Sequence, residues 1–139
     1  MVYTERSMMY DEVEREEIAV QFVRSEDALP GIRRAWNELE TAVGSMRGRH
    51  FYGAFDAAAN DYRACVEIRE GDELLPGLES GTLPGGRYLR AKLSGQPPAL
   101  YDRIGPTFDE MAAGCTPDES RPGIEYYRRH DEIELLLPV

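Results

Sequence analysis

The sequence predicts an α+β fold: two strand-helix-strand-strand modules forming an antiparallel sheet with two helices on one face and a ligand groove between the halves. Three observations predict it. Short runs alternate apolar and polar side chains, as strands with one buried face require; two other segments repeat apolar residues at helical spacing; and the order of these patterns recurs after about 70 residues. At 139 residues the chain has the length of one domain, with enough residues for a core but not for two independent ones.

Residues 1–17 form an acidic leader in which Asp11, Glu12, Glu14, Glu16 and Glu17 cluster and little apolar periodicity shows beyond Met8, Met9 and Tyr10. An edge strand or a partly disordered segment is expected there. The single domain then runs over 18–139, with halves at about 18–70 and 83–139. Ile18, Val20 and Phe22 alternate with their neighbours as in a strand, which Ser25 to Asp27 ends. Pro30-Gly31 opens a helix carrying Ile32, Ala35, Trp36, Leu39 and Val43, and Gly44 stops it. His50 to Phe55 and Tyr62 to Ile68 read as a hairpin around Asp56 to Asp61.

Gly71 to Gly86, rich in Gly and Pro, reads as a linker, after which the order returns. Arg87 to Leu93 is a strand; Pro97-Pro98 opens a helix with Leu100, Tyr101, Ile104, Phe108, Met111 and Ala112, closed by Gly114; Ile124 to Arg128 and Ile133 to Leu137 are the last strands. Pro106 must kink or split that helix, because it removes a hydrogen bond and its ring crowds the preceding turn. Trp36 answers Phe108 in this repeat, Tyr52 answers Glu125 or Tyr126, and Val66-Glu-Ile68 answers Ile133-Glu-Leu135. One amphipathic helix per half needs a sheet to cover, and the seam between repeated units is a common place for a small-molecule cleft.

The formal net charge of -10 argues against direct nucleic-acid binding, which needs clustered Lys and Arg. No apolar run approaches the roughly 20 residues that cross a bilayer, and no basic-then-apolar leader directs export, so a cytoplasmic location without membrane contact is expected. Lys92 is the only lysine; an acidic, arginine-for-lysine composition fits a salt-adapted organism or codon bias equally well. Cys65 and Cys115 are isolated and read as reduced, buried thiols. No metal spacing, phosphate-cradling glycine loop, Ser-His-Asp or Cys-His arrangement is present, so neither a metal nor another cofactor is expected. His50 and His130 read as a strand-start and a turn residue, and Asp56 with Asp61 lacks the spacing of a calcium loop.

From Ile18 to Val139 the chain resembles the GyrI-like small-molecule-binding domain, which is also the effector-binding domain of AraC-type and MerR-type transcription regulators. Leu83-Pro-Gly-Gly-Arg-Tyr-Leu89, Gly95, Leu100-Tyr101, Pro122-Gly-Ile-Glu-Tyr-Tyr127 and Ile133-Glu-Leu-Leu-Leu-Pro-Val139 carry the likeness. Trp36-Asn-Glu-Leu39, Tyr52-Gly53 and Tyr62-Arg-Ala-Cys-Val66 extend it to the first half. Gly105-Pro106 departs from the family pattern, as does the absence of an aspartate-proline between Arg128 and Asp131. The resemblance implies a groove with aromatic walls and a glutamate on its floor, and the position matching that glutamate is Glu125.

Glu125 and Tyr127 lie two apart on a strand, so both side chains point to one face and Tyr126 to the other. A carboxylate among aromatic rings attracts a lipophilic cation through its charge and the negative ring faces. The bland alternative is an edge-strand glutamate paired with Arg128 or another surface arginine. Trp36, Tyr52, Tyr88, Tyr101 and Phe108 are the candidate walls, each competing with a purely core role. The first function expected is a stand-alone binder of an aromatic or cationic drug-like molecule, of sensor or sequestering type. The second is a hydrolase of strained or activated toxic molecules, with Glu125 as general acid or base and Tyr127 positioning it, since some members of the family hydrolyse cyclopropane-bearing toxins. A third is an acidic protein inhibitor of a nucleic-acid enzyme. The partners expected are a small organic ligand and, as an open alternative, another protein or a second copy of the chain.

Overall fold

The computed structural model describes residues 10–45 and 47–139; Met8 and Met9 of the acidic leader lie outside them. It contains eight strands: β1 (Asp11–Arg15), β2 (Ile18–Ser25), β3 (Phe51–Asp56), β4 (Asp61–Glu67), β5 (Glu79–Leu83), β6 (Gly86–Ser94), β7 (Gly123–Arg129) and β8 (Glu132–Pro138). Its helices are α1 (Leu29–Val43), α2 (Ala99–Asp102) and α3 (Ile104–Ala113). The α+β class is as expected. Glu17–Pro84 forms one compact unit, here the central unit. Gly85–Val139, with the described residues before Glu17, forms the other, here the terminal unit.

In the central unit the strand order is β3-β4-β2-β5, every pairing antiparallel. In the terminal unit it is β7-β8-β6-β1, again all antiparallel. The two orders are the same once β2 is matched with β6, β3 with β7 and β4 with β8, which is the strand-helix-strand-strand repeat. Each unit also takes a fourth strand from just ahead of the other half's first strand. β5, which directly precedes β6 in the chain, pairs with β2, and β1, which directly precedes β2, pairs with β6.

β5 corrects the reading of residues 71–86 as a linker. Glu79-Ser-Gly-Thr-Leu83 carries no alternation, and only Leu83 is buried. Its extended form is imposed by the ladder to β2 rather than by its own propensity. Gly81 fits because it lies over Phe22, where a Cβ would come within 3.1 Å of the ring. The loop before β5 is held by the buried Gln21, whose Nε2 donates to Glu73 O at 2.9 Å while its Oε1 accepts from Leu75 N at 2.8 Å. One side-chain amide thus satisfies both a carbonyl and an N–H of a segment with no ladder of its own.

α1 begins with Pro30 inside its first turn and ends at Gly44, whose φ of 78° lets its N–H return to Glu40 O at 3.0 Å. It packs on β2 and β4. Gly31, Ala35 and Leu39, one turn apart, are its buried face. The second helical segment is split as Pro106 requires. A proline cannot donate to the carbonyl four residues back, here that of Asp102, and its ring crowds that carbonyl. α2 accordingly stops at Asp102 and α3 restarts at Ile104, leaving Pro106 in a first turn where no donor is needed. Leu100, Phe108 and Met111 are the buried residues of this pair, and α3 packs on β8.

Candidate functional site

β7 is where composition and geometry meet. Its register places Glu125 opposite Leu135 and Tyr127 opposite Ile133, while Tyr126 lies opposite Glu134. The pleat therefore sends Glu125, Tyr127, Ile133 and Leu135 to one face, together with Ala91 and Leu93 of β6, which pair with Leu135 and Ile133. Ile133 and Leu135 are fully buried, and Ala91 and Leu93 nearly so. Glu125 stands in this apolar company with only 7% of its surface exposed.

The Tyr127 phenol holds it. Its hydroxyl donates to Glu125 Oε1 at 2.6 Å. Across from Tyr127, the Tyr101 ring of α2 stands edge-on, its centroid 6.3 Å away at an interplanar angle of 68°. Tyr101 is 46% exposed. Glu125, Tyr127 and Tyr101 are brought together; the remaining sequence candidates are placed differently.

Tyr88 is fully buried on the opposite face of the terminal unit, because β6 pairs it with Pro138 and the pleat alternates from there to Ala91. The Arg121 guanidinium lies 4.8 Å from its ring centroid, and burial pushes the Tyr88 phenol above its ordinary value. Phe108 is buried in α3. In the central unit, Trp36 Nε1 donates to the Tyr62 hydroxyl at 3.0 Å, and its ring centroid is 6.4 Å from that of Phe51. Tyr62 therefore marks the helix side of that sheet. Tyr52, paired with Cys65, points to the other side and is 3% exposed. Tyr62 was no sequence candidate, though its place at the head of an alternating strand was the available signal.

The opposite face of the terminal unit holds a second buried carboxylate that sequence reasoning did not single out. Glu134 receives Arg90 at 3.5 Å and Arg128 at 3.3 Å, so Arg128, the alternative partner weighed for Glu125, is engaged on the other side of the sheet. Among the described residues no cluster of three or more His, Cys, Asp or Glu side chains is placed to hold a metal ion, and no helix is long and apolar enough to cross a membrane. Cys65 is buried as expected, whereas Cys115 is only half-buried; burial pushes the Cys115 thiol up, the wrong direction for a nucleophile at neutral pH.

The chain shares its fold with several solved proteins. SAV2435, whose structure was solved bound to tetraphenylphosphonium, superposes with a TM-score of 0.65 at 14% identity over 94% of this chain and 93% of that one. An integron cassette protein from the mobile metagenome of Vibrio cholerae superposes at a TM-score of 0.69 and 18% identity, covering 99% of this chain and 97% of its own. EcmrR, seen in complex with DNA, matches at a TM-score of 0.55 and 12% identity; this chain is covered to 96% and spans 59% of that one. At such identities the likeness is one of fold. No protein-family profile and no curated protein matches the sequence.

Proposed function

We propose that the chain is a GyrI-like binder of a small, aromatic organic cation, acting as a sequestering protein or as a sensor that works through a partner. One observation carries this reading: Glu125, with 7% of its surface exposed, accepts a tyrosine hydroxyl whose ring meets a second, exposed tyrosine ring. A lipophilic cation set against aromatic faces beside a carboxylate is attracted by the ring quadrupoles and by the acidic group together. The fold shared with SAV2435, a protein solved with a lipophilic phosphonium bound, supports the same ligand class. In this reading Glu125 neutralises the cation, Tyr127 fixes the carboxylate, and Tyr101 covers the ligand.

The test is titration calorimetry with tetraphenylphosphonium and with the neutral triphenylphosphine oxide, on the wild type and on Glu125→Gln. The cation is expected to bind, the neutral analogue to bind at least tenfold more weakly, and Glu125→Gln to remove that preference; a tenfold change corresponds to about 1.4 kcal/mol. Binding of the neutral compound alone would refute the cation reading. Affinity retained in Glu125→Gln together with lost turnover of an activated ester or strained ring would move the assignment to the hydrolase alternative.

A further inference from the structure

We propose that β5 is a docking edge for a second copy of this chain, the two copies pairing antiparallel through Ser80 and Thr82. Backbone orientation is the first ground. Ile68 N donates to Ala19 O at 2.8 Å, so the polar backbone groups of Ala19 face β4 and those of its neighbours Ile18 and Val20 face β5. Val20 pairs with Gly81, Ile18 with Leu83 and Phe22 with Glu79. Glu79, Gly81 and Leu83 thus spend their N–H and C=O groups on β2, and those of Ser80 and Thr82 point outward. Among the described residues β5 pairs with no strand but β2, and Ser80 and Thr82 are exposed.

The second ground is what guards such an edge and what does not. β1 ends the terminal unit's sheet in the same way. Val139 N donates to Arg87 O, which turns Tyr88 toward β1 and leaves Glu12 and Glu14 as the outward positions, both exposed and both negative. A second negatively charged chain is repelled there, which is how edges are normally kept from pairing. β5 presents a serine and a threonine, with glycine between them and no lysine, proline or bulge. Among the described residues, then, one edge carries a charge guard and the other, β5, does not.

The third ground selects a second copy as the occupant. A two-fold axis at Gly81 sets Ser80 opposite Thr82 of the other copy, a pairing in which both residues exchange N–H and C=O bonds and their hydroxyls are cross-strand neighbours. Glu79 then faces Leu83 of the other copy and not its own equivalent, and Arg24 already lies 3.5 Å from it. The arrangement keeps two strongly acidic chains from setting like charges against each other along the shared ladder. A strand of this length makes a small interface, so the dimer is of the weak, concentration-dependent kind.

Sedimentation velocity on the full chain, from about 10 µM to about 1 mM, is expected to show a reversible monomer–dimer equilibrium. Thr82→Pro removes only an outward N–H and should weaken it by about tenfold or more, with an unchanged melting temperature. Ser80→Glu restores the charge guard and should do the same. Glu12→Pro, the matching change on β1, should leave the equilibrium where it is. Amide exchange supplies a readout independent of any variant: Ser80 and Thr82 should become protected as concentration rises. A monomer throughout that range, a dimer indifferent to both β5 variants, or amide exchange at Ser80 and Thr82 that does not change with concentration would each overturn the proposal. Tetraphenylphosphonium titrations do not bear on it, since Glu125, Tyr127 and Tyr101 belong to the terminal unit.

Discussion

Tyr127 and Glu125, two residues apart on β7, are joined by a 2.6 Å hydrogen bond from phenol to carboxylate. The bond fixes the direction of the carboxylate, so the charge and its orientation can be removed separately. Glu125→Gln abolishes the charge; Tyr127→Phe keeps it and releases the direction. Calorimetry is expected to show about a tenfold or greater loss of tetraphenylphosphonium affinity for Glu125→Gln and a smaller loss, about threefold to tenfold, for Tyr127→Phe. A larger loss for Tyr127→Phe would mean that the phenol hydroxyl, and not the charge, dominates.

Arg121 closes the terminal unit. Its guanidinium donates to the carbonyls of Gly85, Arg87 and Val139, its Nε donates to Asp118 Oδ2, and its plane covers the Tyr88 ring. Gly86 makes room for it: φ is 127°, and a Cβ there would lie 2.6 Å from the guanidinium. Gly86→Ala is expected to cost about 1–3 kcal/mol in urea unfolding, through backbone strain and displacement of Arg121 together. Arg121→Met should cost a similar amount while leaving Gly86 unstrained. Because both act on one contact, the double variant should cost clearly less than the two losses added.

Two aspartates give opposite acid responses. Asp118 accepts from the Ser120 hydroxyl and N–H and from Arg121, which hold its carboxyl at about 2, below the ordinary 3.8. Its contribution to stability is present above pH 3.8 and is lost as pH falls toward about 2. Asp27 is raised above 3.8 by burial and then by the nearby Asp61, so its contribution is present at low pH and lost as pH rises through the raised value. Melting temperatures should therefore show Asp118→Asn less stable than wild type at neutral pH, the gap closing on acidification below pH 3.8. Asp27→Asn should be more stable than wild type at neutral pH, its advantage fading in acid. The same sign for both at pH 7 would contradict these assignments.

Gln21 is the buried tie that shapes the approach to β5. Gln21→Leu fills the same space and leaves Glu73 O and Leu75 N without that partner, at a cost of about 1–3 kcal/mol. Hydrogen exchange should show the Leu75 amide losing protection, while amides of the β2–β4 ladder keep theirs. Uniform loss over the central unit would show that Gln21 supports the whole sheet and not the loop.

Local pattern was enough for what depends on neighbours in the chain. The helical spacing of Ala35 and Leu39 marked the buried face of α1, Pro106 marked the break that separates α2 from α3, and the two-residue repeat of β7 placed Glu125 and Tyr127 together. These follow from the geometry of a helix turn or a pleat, which a short stretch of sequence carries whole. β5 was not legible, because Glu79 to Leu83 has no alternation of its own and is extended only by virtue of β2.

The sequence by itself determined the strand-helix-strand-strand order of each half, its repetition, the acidic composition and the shared face of the carboxylate and phenol on β7. Only the tertiary structure decided that β1 and β5 each pair with the first strand of the other half's module. It alone decided that Tyr88 and Tyr52 turn away from the faces that α3 and α1 cover, and that Trp36 meets Tyr62. The physical reason is that strand partners and register are settled by residues far apart in sequence. A one-residue change of register reverses every side chain, and no local periodicity encodes which register the distant partner imposes.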